Sequence, residues 1–177
     1  MSDWMQGVHA DTVSAGLLIG RLVVGLGMAA HGAQKLFGWF GGKGLGGTAG
    51  FFETLGFRPG RPFALLAGLG EVTSGLLVAL GLFGPVGPAL MMAVMIVAAA
   101  QSWTKGFFAM NGGIELPLLY GSAALALSFI GPGRFSLDAA LGIAPWSNLK
   151  LVVVAVGVAL VGAVGSLAVR HPAAAAR

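Results

Sequence analysis

Two residues of this sequence carry charge where the surrounding chain is lipid-like. Arg21 interrupts the apolar stretch Val13–Ala30, and Glu71 is the sole charge within Phe63–Phe83. An ionisable group in hydrocarbon costs about 2.5–3.5 kcal/mol on insertion scales. Both residues fall near the middle of their stretches, where opposite charges offset one another's desolvation. An Arg21–Glu71 ion pair is therefore expected, either fixing helix register or forming part of a polar site. At about 100° per helical residue, Met28, Gly32 and Lys35 share the face of Arg21, with His31 flanking it. In the stretch Ile114–Ile130, Asn111, Glu115 and Ser122 fall on one face. Glu115 is expected to meet Lys35 or His31, since the loops before the second and fourth stretches lie on the same side. Histidine exchanges protons readily near neutral pH, so His31 beside Glu115 would make a proton relay, or a contact for a polar headgroup such as a quinone ring. Each residue also has a structural reading. Lys35 can be an interface lysine, His31 a cation at a helix C-terminus, and Glu115 a carboxylate complementing the dipole of a first turn.

Other chemistries are excluded by residue type. Without cysteine there is no thiolate nucleophile, disulfide or iron–sulfur ligand set. His9 and His171 fall in the terminal tails, leaving one histidine in the apolar segments, too few for bis-histidine haem or a metal site. No GxSxG elbow or Ser-His-Asp order is present. The run Gly41-Gly42-Lys43-Gly44-Leu45-Gly46-Gly47 lacks the GxxxxGK[ST] spacing and a preceding strand, and reads as a flexible loop. It leads into Thr48–Leu55, whose Phe51 and Phe52 suit a membrane interface.

The elements that must position these groups follow from composition. Of 177 residues, 56% are hydrophobic and 9% charged, against about 25% charged in soluble domains. The chain is read as an all-α membrane protein. Five stretches approach the length of about 20 residues that spans a bilayer. The organisation is a tail over 1–12, a core over 13–142 with spans near 13–31, 63–83, 86–104 and 114–130, an added helix at 149–169 and a tail at 170–177. Gly84-Pro85-Val86-Gly87-Pro88 forms a tight hairpin between the second and third spans. Gly16 and Gly20 make a small-xxx-small pair suited to close helix approach. Trp39, Trp103 and Trp146 fall near span ends, as in an aromatic belt. Gly131-Pro132-Gly133 ends the fourth span; Ser136 then caps a short helix with Asp138 in its first turn, and Arg134 is near enough to pair with Asp138.

The net charge of +4 is spread along the chain and forms no nucleic-acid-binding patch. The first twelve residues contain no Lys or Arg, so the basic start of a signal peptide is missing and the first span is expected to be retained. Counting Lys and Arg by loop puts seven on the side of Lys43 and Lys105 and two on the side of Arg134. The positive-inside rule then predicts an N-terminus outside and a C-terminus in the cytoplasm.

Several of these residues resemble a known pattern. Arg21-Leu22, Gly25 and His31-Gly32-Ala33-Gln34-Lys35-Leu36-Phe37-Gly38 resemble the opening of the DoxX family of small bacterial membrane proteins. Glu71, Gly75-Leu76-Leu77, Gly81-Leu82, Gly113-Ile114-Glu115 and Gly131 to Asp138 continue the resemblance, which covers about residues 13–142. It implies a four-helix membrane core in the bacterial cytoplasmic membrane. Relatives in that family include a subunit of a thiosulfate:quinone oxidoreductase, and others associate with redox-defence enzymes. The fifth span, Leu151–Val169, lies beyond the familiar core.

Three functions fit. The first is a membrane subunit linked to quinone redox chemistry, with no redox cofactor in the chain, quinone as candidate substrate or ligand, and electrons supplied by a partner. The second is a non-catalytic scaffold that recruits a soluble oxidoreductase, alone or as a homo-oligomer. The third is a transporter of small solutes or lipids, although no inverted repeat is evident.

Overall fold

The computed structural model describes residues 3–143 and 148–171. Trp146 and residues 172–177 lie outside the described residues, so the belt position expected for Trp146 has no structural counterpart here. The described chain is helical, with α1 (Asp3–Phe37), α2 (Gly44–Thr54), α3 (Gly60–Leu80), α4 (Val86–Ser102), α5 (Glu115–Ile130), α6 (Leu137–Ala140) and α7 (Leu149–Ala168). Four helices are long and apolar enough to cross a membrane, within α1, α3, the segment Val86–Lys105 and α7. The fifth, α5, has 16 residues and a length of about 24 Å, shorter than a bilayer core of about 30 Å.

Helix boundaries depart from the hydropathy limits for identifiable reasons. Instead of a tail over 1–12, α1 is helical from Asp3. Polar residues stop a lipid-buried span, but they do not stop a helix. α3 starts at Gly60 rather than 63 because Pro62 sits in its first turn, where the missing N–H has no cost. It ends at Leu80 because Gly81 takes a left-handed conformation, φ 64°. The glycine run is only partly a loop, since α2 begins at Gly44 and packs on α3 and α1.

α3 lies between α1 and α4, and α4 also packs against α5 and α7. The core at this junction contains Met28, Val78, Ala89, Met91, Met92, Met95, Ala124 and Ala159. The α1–α3 contact is the most extensive and is made by glycines. A methyl group at Gly75 would lie 2.5 Å from Ala29 N, and one at Gly32 would lie 2.6 Å from Gly68 O. Small residues therefore let these backbones touch, as membrane helices require. The expected small-xxx-small pair does not take part: Gly16 and Gly20 are exposed and meet nothing. Gly25, Gly32, Gly68 and Gly75 take that role instead.

At one end of the bundle lie the turn between α3 and α4 and the segment 131–143. At the other lie α2, the loop 103–114 and the end of α7. Asp11 pairs with Arg134 at the first end. At the second, Arg170 Nε donates to Leu55 O at 2.6 Å and His171 N to Gly56 O at 2.9 Å. The helices therefore cross the bundle five times.

Candidate functional site

The glycine contacts between α1 and α3 set which charged residues can meet. They place Lys35, in the last turn of α1, level with the middle of α3. Lys35 Nζ donates to both carboxylate oxygens of Glu71, at 2.7 and 2.5 Å. The Glu71 side chain is 4% exposed and that of Lys35 30%. The carboxylate is thus taken fully into the bundle, while the ammonium reaches its edge.

The pair forms part of the wall of a cavity of about 380 Å³. α2 and the following loop contribute Phe51, Phe52 and Phe57, α4 contributes Val94 and Val97, and α7 contributes Gly162, Ala163 and Ser166. The lining is aliphatic and aromatic apart from a few polar side chains. One of these, Gln101, has both amide atoms buried and without a hydrogen-bond partner. Hydropathy reading passed over it because it lies near the end of an apolar span. The available signal was an amide in the otherwise weakly polar stretch 86–104. A volume of this size with few polar groups suits a small amphipathic molecule.

The expected Arg21–Glu71 pair is not formed. Arg21 is 2% exposed and donates instead to the carbonyls of Pro132 and Phe135, beyond the end of α5. Those carbonyls are available because Gly131 and Gly133, both at positive φ, end α5 and turn the chain back. Gly81 makes room: a methyl group there would strike the guanidinium. The inward face of α1 is otherwise as expected, with Met28 and Gly32 buried on it.

Asp138 and Arg134 do not pair with one another either. The Asp138 carboxylate, in a residue 3% exposed, accepts from Phe83 N at 2.9 Å and Gly84 N at 2.8 Å. It thereby holds the α3–α4 turn, in which Phe83 has φ 59°. Arg134 is exposed and turns to Asp11 of α1. The expected cap does form, with Ser136 Oγ accepting from Ala139 N at 3.2 Å.

The relay of His31 with Glu115 is likewise absent from the described contacts. Glu115 turns back to accept from Ala109 N at 2.8 Å, closing the loop before α5. His31 Nδ1 lies 3.2 Å from Gln34 Oε1, and its ring meets Tyr120 of α5 edge-on at 5.7 Å. It is not a helix cap, because α1 continues to Phe37. Asn111 is exposed in a 3-10 turn outside α5, so it shares no helix face with Glu115, and Ser122 faces outward. Trp39 and Trp103 are exposed at the end that carries α2, as expected for an aromatic belt.

The apolar outer faces, five antiparallel crossings and buried charges define a polytopic α-helical membrane protein. The chain belongs to the DoxX family, whose model matches residues 16–108, from the middle third of α1 into the loop after α4. The resembling residues from Gly113 to Asp138, and α7, lie beyond that match. No curated protein and no solved structure matches the chain.

Proposed function

We propose that this chain is a membrane subunit of a quinone-linked oxidoreductase system, and that its cavity takes the quinone headgroup beside the Lys35–Glu71 pair. The observation that carries this reading is the cavity itself: about 380 Å³, apolar, with one buried ion pair and one unpartnered amide in its wall. Reduction of a quinone to a quinol consumes two electrons and two protons. The electrons come from a soluble oxidoreductase partner. Lys35, at the edge of the bundle, and Glu71, inside it, offer a route for protons. Lys43, Arg58, Arg61, Lys105 and Arg170 at the end that carries α2, against Arg134 and Lys150 at the other, support a cytoplasmic position for the α2 end, with the N-terminus outside a bacterial cytoplasmic membrane.

A second reading has its own support. Arg21, Asp138 and Glu115 all bond to backbone groups of turns, as charges would in a scaffold that recruits redox enzymes. Titrating the purified chain with a short-chain benzoquinone separates the two, with calorimetry as readout. Saturable binding that weakens in Lys35→Met is expected. Capture of a soluble oxidoreductase without quinone binding would replace the first reading by the second, and solute uptake by proteoliposomes containing this chain alone would replace both by a transporter.

A further inference from the structure

We propose that Gln101 is the residue that selects the ligand of this cavity, and that the ligand is neutral and presents a ring carbonyl to it. This rests on the quinone reading and adds to it the group that recognises the ring. Gln101 continues a wall. Gln101 falls between Leu90 and Val94 around α4, about 20° from each, and all three line the cavity. Packing at this position calls for another aliphatic side chain. Instead there is an amide whose Nε2 and Oε1 are both shielded and unpartnered.

Apart from Ser102, which is half-buried, the other polar side chains of the wall are engaged. Lys35 and Glu71 satisfy each other, Ser166 donates to Gly162 O at 2.9 Å, and Lys105 lies 6.0 Å over the Phe51 ring. Leaving a buried amide unpaired is unfavourable, and a ligand that supplies the partner relieves this. An amide also suits both redox states of the proposed ligand. Its Nε2 donates to a quinone carbonyl, and its Oε1 accepts from a quinol hydroxyl. The site can therefore hold the ring before and after reduction without changing its own protonation. The residue's neutrality favours an uncharged head over a carboxylate.

The test compares the full-length protein with Gln101→Met, which keeps length and removes the amide. The probes are a short-chain benzoquinone and the alkylbenzene with the same tail. The wild type is expected to prefer the quinone by about tenfold, the scale of one buried hydrogen bond. Gln101→Met is expected to lose that preference, bind the alkylbenzene unchanged and melt no lower than wild type. Equal weakening toward both probes would make Gln101 a shape-filling residue and overturn the proposal. So would an undiminished quinone preference in the variant, which would leave the quinone reading intact. Absence of quinone binding by the wild type would overturn that reading and this one with it.

Discussion

The two members of the Lys35–Glu71 pair have unequal access to water, and removing them is expected to have unequal effects. Lys35→Met leaves a carboxylate that is 4% exposed with neither of its two hydrogen bonds. Breaking a buried pair in this way costs about 3–5 kcal/mol. The lower end applies here, because the 30% opening at Lys35 admits some water to the vacated position. Glu71→Gln leaves a cation on a long flexible stem that can move outward, and the glutamine oxygen still accepts from it. That change should cost about 1 kcal/mol. Removing both charges, as in Lys35→Met with Glu71→Leu, should recover most of the larger loss. Unfolding in mixed micelles by increasing SDS measures all three. The same cycle run between Arg21→Met and Glu71→Gln should be additive within about 0.5 kcal/mol. Arg21 is fourteen residues from Lys35 along α1, a rise of about 21 Å. Equal losses in Lys35→Met and Glu71→Gln, or coupling between Arg21 and Glu71, would refute this account of the buried charge.

At the other end of the bundle, Asp138→Ala removes the acceptor of two backbone N–H groups in the α3–α4 turn. A loss of about 3 kcal/mol in the same unfolding assay is expected, as for hydrogen bonds to a buried charge. Stability unchanged from wild type would show that the turn holds itself. Since the chain has no cysteine, Lys43→Cys and Arg134→Cys can be labelled singly in whole cells with an impermeant maleimide. Only Arg134→Cys should react from outside, and labelling of both from one side would be incompatible with five crossings.

The all-α fold and the order of its five long segments were legible in the sequence because both follow from where apolar residues run and where glycine and proline interrupt them. Pairing was less legible. Arg21 and Glu71 looked level because each lies near the middle of a hydrophobic stretch, but mid-stretch position measures depth only if helices end where hydropathy ends. α1 continues six residues past His31, and α3 begins three residues before Phe63. Register is instead set by backbone contact at Gly25 with Gly75 and Ala79, and at Gly32 with Gly68 and Val72. That pattern puts Arg21 beside Gly81 and brings Lys35 to Glu71. Gly16 and Gly20 carry the small-xxx-small spacing, yet a methyl group at either would meet nothing within 4 Å. Sequence spacing alone does not distinguish a glycine pair that faces a partner from one that faces outward.

The separation of the charges has a consequence for how the two ends of the bundle differ. At the end with Arg21 and Asp138, charged groups meet backbone carbonyls and amides of tight turns. Their partners are backbone groups of the chain, although Arg21 Nε has none, and the Asp138 bonds hold a turn that includes a non-glycine residue at positive φ, itself a conformational cost. At the end with Lys35, Glu71 and Gln101, the polar groups face a cavity, and one of them has no partner among the described residues. The wall of that cavity is completed by α7, beyond the region matched to the family; α7 packs on α4 and α5, and just past its end Arg170 and His171 bond to the loop after α2. Holding the turns and lining the cavity therefore fall to different ends of the bundle, and α7 is placed at the second.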